Sequence, residues 1–529
     1  MSLIYGFYTG SHSPAVALMK DGKIISCLEE ERIRRVKSGD NYDINVELSS
    51  EAIQKFTGVN IIDADYNVFA SPTPKEFARK ITNNRYEKIG HHTAHAYGAY
   101  FTSGFEEKTI TITYDGGGEY TVMKMYLCEN GKMTLVKSEP FAFFGSLSHL
   151  WGFSTSGIMG YDEWGEGIWK MCKDEGKLMG MAPDGHYDEK IYNMLKTCIN
   201  YNNFRFYPSS TYSKTMFVVD MMKSEGLLET QKQREIFSFN LQKLTEDLFL
   251  KFLDDVHKLY PDYKKLCFAG GLFANVKMNQ KINDLEWVDE IYIYPAMGDE
   301  GLSLGACIYK SVELNELSKP FKLNDVFFGI SYSNNEILEI SKQFNFKKIK
   351  YNPKEIAKDI NEGSIVGWFQ SGSEFGPRAL GARSILVRPT EINTHKILNQ
   401  RLKRYDTMPF APIVMDEHFE KIFTSSKSKY ASEFMTLCYN TNEDWIEKIP
   451  AVIQKSDKTA RPQTVVKSKL PKFWEILNEY YQISGIPVLL NTSFNPHNTP
   501  IIENPIDAFG MLQNKIIDKL IIEDYVFFT

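Results

Sequence analysis

Three histidines within five residues are the most chemically suggestive feature of this sequence. His91, His92 and His95 account for three of only ten histidines in 529 residues. If residues 91–103 are helical, His91 and His95 are four positions apart and lie on one face of the helix. Two imidazoles at that spacing can bind one metal ion. The alternative is an ordinary helix N-terminus whose histidines are solvated or packed in the core.

Two aspartates on glycine-rich turns could complete such a site. Asp115 lies 20 residues after His95, at the start of a turn over residues 115–119, and Asp299 lies in the turn 298–301. Two imidazoles with two carboxylates suit Fe(II), Mn(II) or Zn(II) bound beside phosphate groups. Considered by itself, Asp299 could equally be a plain turn residue.

Two stretches in the first half of the chain repeat one strand plan. Residues 3–28 predict three strands, joined by a polar turn at 9–13 and an Asp-Gly hairpin turn at 21–22. Residues 109–136 predict the same plan, with a glycine-rich turn at 115–119 and an Asn-Gly turn at 130–131. We therefore expect a duplicated nucleotide-binding architecture of the actin-like ATPase kind, in which two loops face each other across a cleft.

The remaining sequence predicts further α/β structure in two domains. Residues 230–260 have the apolar spacing of an amphipathic helix, and residues 265–269 and 290–294 read as buried strands that run into glycine turns. Polar, lysine-rich sequence then predicts a boundary near residues 335–351. We expect a metal- and nucleotide-binding domain over residues 1–345 and a second α/β domain over residues 346–529.

Glycines and fixed cations near turns indicate anion sites. Gly270 and Gly271 precede a predicted helix whose N-terminal N–H groups could contact phosphate or ribose. In the second domain arginines gather around glycine-rich turns, and guanidinium groups bind phosphate oxygens in a bidentate manner. These cations are Arg378, Arg383, Arg401, Lys403, Arg404 and Arg461. Asn491 and Ser493 end an apolar strand and could hold an amide or a phosphate, or simply form a turn.

Composition narrows the class of protein. The chain is 43% hydrophobic and 24% charged with a net charge of −6, which argues against a nucleic-acid strand as partner. Its seven cysteines include no C-x-x-C pair, so neither a zinc ribbon nor a redox dithiol is indicated. We see no signal-peptide pattern and no apolar run of membrane-spanning length, and we expect a cytoplasmic protein with no membrane partner.

In this order the motifs resemble those of the NodU/CmcH-type O-carbamoyltransferase family, which includes the nodulation and antibiotic O-carbamoyltransferases. The resemblance extends over essentially the whole chain. It implies a Kae1-like domain of the actin-like ATPase class followed by a smaller YrdC-like domain. The matching segments are His12, Glu29–Arg32, His91–Ala96, Asp115–Glu119, Gly176–Gly180, Gly270–Asn275, Gly376–Ser384, Met408–Pro412, Thr459–Gln463 and Asn491–Asn495.

The resemblance also implies an activity: carbamoyl phosphate and ATP form a carbamoyl-adenylate, whose carbamoyl group passes to a hydroxyl of a sugar-like or natural-product acceptor. Fe(II) is the favoured metal, with Mn(II), Zn(II) and Mg(II) also compatible, and His12 is the candidate base. The implied metal ligands are His91, His95, Asp115 and Asp299. The implied nucleotide contacts are Lys177, Gly270, Gly271 and Asn275. The implied carbamoyl-phosphate contacts are Arg378, Arg383, Lys403, Arg404, Arg461, Asn491 and Ser493.

The sequence departs from the family pattern at 405–408 and 497–500, which leaves the full set of anion contacts open. One alternative is a threonylcarbamoyl transferase acting on tRNA, against which the acidic charge and the second domain argue. A small-molecule kinase of the actin-like fold would have no use for paired metal histidines. A hydrogenase-maturation carbamoyltransferase would need cysteine-paired zinc fingers, and a non-catalytic metal-sensing or scaffold protein is the remaining alternative. The sequence predicts neither the acceptor nor the oligomeric state.

Overall fold

The computed structural model describes residues 2–10, 12–37, 45–71, 75–140, 145–159, 174–209, 211–403, 410–425 and 427–529. The chain forms two compact units, the first comprising Met1–Glu31 and Ser38–Leu323 and the second Arg32–Lys37 and Asn324–Thr529. The second unit begins before the boundary predicted at residues 345 and 346, because helix Asn334–Ser341 packs against helix Pro505–Gln513 of the same unit.

The first unit contains two five-stranded sheets with the same strand order and orientation. In each sheet three sequential antiparallel strands are extended by two later strands that run parallel to the first. The first sheet contains Leu3–Tyr8, Ala15–Lys20, Lys23–Glu29, Tyr66–Ala70 and Glu87–Ile89. The second sheet contains Thr109–Gly118, Thr121–Glu129, Lys132–Pro140, Lys265–Ala269 and Glu290–Ile293. The duplicated, actin-like α/β architecture predicted from the two meanders is confirmed.

The hairpin turns follow the local sequence, with one exception. The turns at residues 21–22 and 130–131 have positive φ at both central positions, as a type I′ turn requires. The glycine-rich segment after residue 114, however, is not the turn that was predicted. Strand Thr109–Gly118 continues through it with a local irregularity in pairing, and Glu119 and Tyr120 make the turn instead.

Helices cover the sheets of the first unit. The predicted helix over residues 230–260 forms as Gln231–Leu259, and it begins with a capping box made by Thr230 and Gln233. Among the described residues, no helix is both long and apolar enough to cross a membrane. The remaining helices of eight or more residues are Glu47–Thr57, Lys75–Thr82, His91–Phe101, Leu147–Met159, Glu189–Lys196, Thr211–Ser224, Val276–Asn283 and Gly301–Glu313.

The second unit is built on an eight-stranded mixed sheet. From edge to edge its strands are Lys347–Lys350, Tyr525–Phe528, Lys519–Ile522, Val366–Phe369, Arg383–Val387, Val488–Ser493, Ala411–Met415 and Gln463–Val465. A two-stranded ribbon pairs Tyr439–Asn440 with Thr459–Ala460. Its helices of eight or more residues are Asn334–Ser341, Pro353–Asn361, Asn393–Leu402, Pro471–Ser484 and Pro505–Gln513. The unit is α/β as predicted, and its assignment as YrdC-like stays a prediction.

Strand pairing in the second sheet brings two of the glycine turns together. Lys265–Ala269 runs parallel to Thr109–Gly118, with Ala269 opposite Thr113. The carboxyl ends of parallel strands meet at one edge of a sheet, so Gly270 lies beside Tyr114 and Gly271 beside Asp115. This edge carries the candidate site.

A glycine at this edge gives the first testable prediction. Gly270 has φ +105°, and a Cβ there would overlap the backbone of Tyr114, so Gly270→Ala combines backbone strain with a steric clash. We expect it to lower the free energy of unfolding by about 3 kcal/mol in urea titration. Gly58→Ala is the control, because Gly58 also has positive φ but faces open space and should lose about 1 kcal/mol. Equal losses in both variants would contradict the packing argument.

Candidate functional site

Four side chains from three separate segments converge at the edge of the second sheet. Helix His91–Phe101 carries His91 and His95 one turn apart, strand Thr109–Gly118 carries Asp115, and Asp299 follows strand Glu290–Ile293. One ligand atom from each of the four residues lies within 4.8 Å of the others. The histidine helix predicted over 91–103 therefore forms, and the structure places the two distant aspartates beside it.

The imidazole nitrogens and carboxylate oxygens of this cluster lie close enough together to contact one central cation. The Nε2 atom of His91 lies 3.4 Å from Oδ2 of Asp115 and 3.5 Å from Oδ1 of Asp299. The Nε2 atom of His95 lies 3.2 Å and 3.4 Å from the same two oxygens. His91, His95 and Asp299 are buried, so the charges of the cluster are little screened by solvent.

Two observations show that these residues fit a metal ion. The Nδ1 atom of His91 donates to the carbonyl of Ser71 at 3.1 Å, so in the neutral ring the lone pair is on Nε2 and faces the carboxylates. A lone pair directed at carboxylate oxygens needs a positive charge between them. In addition, the buried Oδ1 of Asp299 accepts no hydrogen bond within the described part of the chain. A divalent cation would satisfy both groups.

Neighbouring groups orient the two carboxylates. The hydroxyl of Tyr8 donates to Oδ2 of Asp299, and the backbone N–H of Gly116 donates to Oδ1 of Asp115 at 2.6 Å. The Nε2 atom of His12, the candidate base, lies 3.5 Å from Oδ2 of Asp299. His12 is thus next to the cluster without being one of its four members.

The titration of the cluster reflects its excess of negative charge. Burial opposes a charged imidazole, yet the adjacent carboxylates of Asp115 and Asp299 raise the pKa of His95 to about 9. Burial also opposes ionisation of Asp115, but His91 and His95 hold the pKa of its carboxyl well below its ordinary value. A metal ion would supply the positive charge that a proton supplies in its absence.

The third histidine of the motif has a different role. His92 is fully buried; its Nδ1 accepts from the hydroxyl of Thr113 at 2.9 Å and its Nε2 donates to the carbonyl of Thr121 at 3.0 Å. Burial, together with the neighbouring imidazoles, lowers the pKa of His92 well below its ordinary value. His92 is therefore a packed core histidine, whereas His91 and His95 belong to the candidate metal site.

The four expected nucleotide contacts separate into two groups. Gly271 lies against the cluster, since a Cβ there would be 3.1 Å from Oδ1 of Asp115, and Gly270 packs on the backbone of the preceding residue, Tyr114. The side chain of Asn275 is engaged elsewhere, because it caps helix Val276–Asn283 and exchanges two hydrogen bonds with Gln242 at 2.8 and 3.1 Å.

Lys177 is also engaged within the protein. Its ammonium group forms an ion pair with Asp174 at 2.8 Å, one turn earlier at the start of helix Glu175–Met181. Both side chains are largely buried. Neither Lys177 nor Asn275 therefore presents an uncommitted group to a ligand in this structure.

In the second unit the charge of Arg461 acts on that of Arg378. Burial and the neighbouring charge of Arg461 lower the pKa of Arg378 to about 9, and burial lowers the pKa of Arg461 as well. The Nε atom of each is buried and donates to no acceptor in the described part of the chain. Two guanidinium groups held close together in this way form a site for an anion with several oxygens.

Three buried polar side chains hold the loop that carries Arg378. Glu374 accepts the backbone N–H groups of Leu380, Ala382 and Arg383 on a single oxygen, at 2.8 to 2.9 Å. Gln463 donates to the carbonyl of Leu380 at 2.6 Å, and Asn491 donates to that of Ala379 at 3.0 Å. Sequence reasoning assigned no role to Glu374 or Gln463; a carboxylate as the one charged residue between residues 370 and 377 was the available signal for Glu374.

Arg383, which the sequence also predicted to contact the anion, is engaged mainly with the protein backbone. Its guanidinium is fully buried, lies over the ring of Phe369 and donates to five backbone carbonyls, at 2.9 to 3.4 Å. The Nη1 and Nη2 donors of Arg383 are therefore committed to the fold, whereas its Nε, like that of Arg378, donates to no acceptor in the described part of the chain. The carbonyl partners belong to Ile330, Gln370, Ser371, Ala382 and Glu503.

The remaining residues that the sequence predicted to contact the anion are Lys403, Ser493 and Arg404. Lys403 is exposed and ends helix Asn393–Leu402 in a left-handed conformation, with φ 56°. Ser493 is half-buried and pairs with Ser384 in the sheet. Arg404 and the departure at 405–408 lie outside the described residues.

Comparison with known proteins identifies the family. The carbamoyltransferase N-terminus profile matches residues 51–308, and the carbamoyltransferase C-terminus profile matches residues 357–528. Protein MJ1058 of Methanocaldococcus jannaschii is 30% identical over 485 residues, which cover 87% of this chain and 77% of that protein. Nodulation protein NolNO of Sinorhizobium fredii is 28% identical over 567 residues, which cover 98% of this chain and 79% of that protein.

Among solved structures, full-length HypF in its phosphate- and nucleotide-bound form is 14% identical, with a TM-score of 0.38 over 59% of this chain and 56% of that chain. A likeness at this level carries no functional argument. The two family profiles and the two relatives, which match most of this chain, are sufficient to assign the family. The chain therefore belongs to the carbamoyltransferase family and is an enzyme of that transferase class.

Proposed function

We propose that this protein is an ATP-dependent O-carbamoyltransferase that uses carbamoyl phosphate as the carbamoyl donor. The observation that carries the proposal is the pair of arginines Arg378 and Arg461, each of which has a buried Nε atom that donates to no acceptor in the described chain. Carbamoyl phosphate is small and carries its charge on phosphate oxygens, as such a pair requires. Neutralisation of this pair by the ligand would remove their mutual repulsion.

The proposed chemistry has three balanced steps. Water releases phosphate from carbamoyl phosphate and leaves carbamate. A carbamate oxygen then attacks the α-phosphorus of ATP, which forms carbamoyl-adenylate and releases pyrophosphate. Finally the acceptor hydroxyl attacks the carbonyl carbon, the bond to the AMP oxygen breaks, and AMP leaves as its oxygen takes the electron pair.

The first unit supplies the proposed nucleotide and metal sites. His91, His95, Asp115 and Asp299 would hold a divalent metal, for which Fe(II) is our first choice. When bound, this ion would offset the negative charge that develops on pyrophosphate. The backbone of Gly270 and Gly271, which lies against Asp115, would contact the nucleotide.

We propose His12 as the group that receives the proton of the acceptor hydroxyl. Its imidazole is partly exposed, so a substrate can reach it, and Asp299 lies 3.5 Å from its Nε2 atom. The carboxylate would stabilise the imidazolium formed by proton transfer. A sugar-like or natural-product hydroxyl is the proposed acceptor, and a screen of nucleotide sugars for the mass gain of one carbamoyl group would identify it.

A pyrophosphate assay tests the proposed function. We expect the full-length protein, supplied with Fe(II) and ATP, to release pyrophosphate only when carbamoyl phosphate is added. Acetyl phosphate is the control donor, because it cannot provide carbamate. Pyrophosphate release that does not depend on carbamoyl phosphate, or none with any of the four candidate metals, would rule the proposal out.

A further inference from the structure

The two carboxylate oxygens of Asp299 face different neighbours. Oδ1 lies 3.5 Å from Nε2 of His91 and 3.4 Å from Nε2 of His95, and it accepts no hydrogen bond in the described part of the chain. Oδ2 accepts a hydrogen bond from the hydroxyl of Tyr8 and lies 3.5 Å from Nε2 of His12. Asp299 therefore turns one oxygen to the candidate metal site and the other to Tyr8 and His12.

The hydroxyl that reaches Asp299 comes from the other half of the first unit. Tyr8 ends strand Leu3–Tyr8 of the first sheet, whereas Asp299 follows strand Glu290–Ile293 of the second sheet. The side chain of Tyr8 is only 2% exposed, and its ring meets that of His91 edge to face, with the centroids 6.1 Å apart. The phenol is thus packed in the interior, where little water competes with Asp299 for its hydroxyl.

The backbone after this strand passes directly across the phenol. A Cβ on Gly10 would overlap the hydroxyl oxygen and the ring of Tyr8. Glycine is therefore the residue that leaves room for the hydroxyl at this close approach. The position of the hydroxyl on Asp299 depends on Gly10 as well as on Tyr8 itself.

A phenol suits this position because it is neutral at physiological pH. It donates one hydrogen bond to a carboxylate without adding a positive charge. A lysine or an arginine there would compete with a metal ion for the negative charge of Asp299. The hydroxyl of Tyr8 instead limits the rotation of the carboxylate and leaves its charge to the cation, and such hydrogen bonds to a metal-binding group strengthen metal binding.

We propose that Tyr8 is a positioning residue for the metal site, because its hydroxyl holds Oδ2 of Asp299 and thereby directs Oδ1 towards the ion. This inference rests on the proposed function, since it assigns a residue that acts through one of the proposed metal ligands. Tyr8 acts through Asp299 and need not touch the metal or the substrate.

Binding of Co(II) to the full-length protein, after removal of metal by a chelator, tests this role. Co(II) is stable in air and binds the same kinds of ligand as Fe(II). Its visible absorption depends on the number and arrangement of its ligands. We expect Tyr8→Phe, which keeps the ring and removes only the hydroxyl, to raise the dissociation constant for Co(II) about 10- to 100-fold and to shift the absorption bands. Competition with an indicator of known affinity measures the constant.

Tyr294→Phe is the matched control. Tyr294 is also buried and precedes Asp299 by five residues, but its hydroxyl donates to the carbonyl of Gly301 at 3.4 Å and not to a proposed metal ligand. The same chemical change at this position should leave both the affinity for Co(II) and the spectrum as they are in the unaltered protein.

Gly10→Ala is a second variant that acts on the same hydrogen bond. The added methyl group would displace the hydroxyl of Tyr8 from Asp299 although the tyrosine is still present, so we expect a similar loss of affinity. Combined with Tyr8→Phe it should cause no further loss, because both changes remove one interaction. Circular dichroism would confirm that the variants fold, and Gly10→Ala carries the test if Tyr8→Phe does not fold.

The outcomes separate the two proposals. If the unaltered protein takes up neither Co(II) nor Fe(II), the proposed metal site fails, and the role of Tyr8 with it. If Tyr8→Phe binds Co(II) with an unchanged constant and spectrum, or if Tyr294→Phe loses as much affinity, the metal site stands and the role of Tyr8 is overturned. A weaker complex with shifted bands in Tyr8→Phe and Gly10→Ala, but not in Tyr294→Phe, supports the role.

Discussion

Arg378→Ala should weaken carbamoyl phosphate binding by about 30-fold or more, without destabilising the protein. The loss follows from removal of one of two guanidinium groups that would bind the phosphate, since a charge-assisted contact of this kind contributes about 2–5 kcal/mol. Calorimetric titration with carbamoyl phosphate and with inorganic phosphate measures the effect. We expect both ligands to be affected, because Arg378 would contact the phosphate end.

The change in thermal stability of Arg378→Ala without ligand also tests the assignment. Burial and Arg461 lower the pKa of Arg378 to about 9, so folding disfavours its cation. At neutral pH, below that pKa, the charge therefore destabilises the ligand-free fold, and alanine removes the repulsion. The melting temperature without ligand should stay equal or rise, as at other sites where function is favoured over stability.

Arg388→Ala is the control for this experiment. Arg388 is a cation of the same unit, but its guanidinium already bonds to the carbonyl of Asn361 at 2.9 Å and to Glu391 at 2.8 Å. It should leave phosphate affinity unchanged. Unchanged binding in Arg378→Ala, or a fall in melting temperature that accompanies the loss of binding, would contradict the assignment of Arg378.

His95→Ala should abolish stoichiometric metal binding. The residue supplies one of four ligands, and its Nε2 atom lies between both carboxylates. We expect the metal content after reconstitution with Fe(II) to fall from about one equivalent to a trace, with at least a 100-fold loss of affinity. Elemental analysis of the dialysed protein measures the content, and a chelator should lower the melting temperature of the unaltered protein only.

His92→Gln provides a close comparison for His95→Ala. His92 is on the same helix and equally buried, but it bonds to Thr113 and Thr121 rather than to the aspartates. Its replacement should lower thermal stability and leave the metal content near one equivalent. If both variants lose metal alike, or if neither does, the four-residue site is not the metal site.

Much of the fold could be predicted because it is encoded locally. The strand Lys265–Ala269 and the helix Gln231–Leu259 follow from apolar periodicity, and the Asn-Gly and Asp-Gly turns follow from the left-handed backbone that those residues tolerate. The duplicated meander followed from repetition of these local signals. The turn at Glu119 and Tyr120 was missed, because neither residue is a usual former of a type I′ turn.

The sequence by itself also determined the pairing of His91 with His95, since helical spacing places positions i and i+4 on one face. Only the tertiary structure decided that Asp115 and Asp299 meet them, because strand order in a sheet sets which distant turns become neighbours. The same holds for the arginines. Arg378 and Arg383 lie five residues apart, yet backbone carbonyls accept from Nη1 and Nη2 of Arg383, whereas the charge of Arg378 is opposed by that of Arg461. The surroundings of a side chain after packing, and not its type, determine whether its charge is available to a ligand.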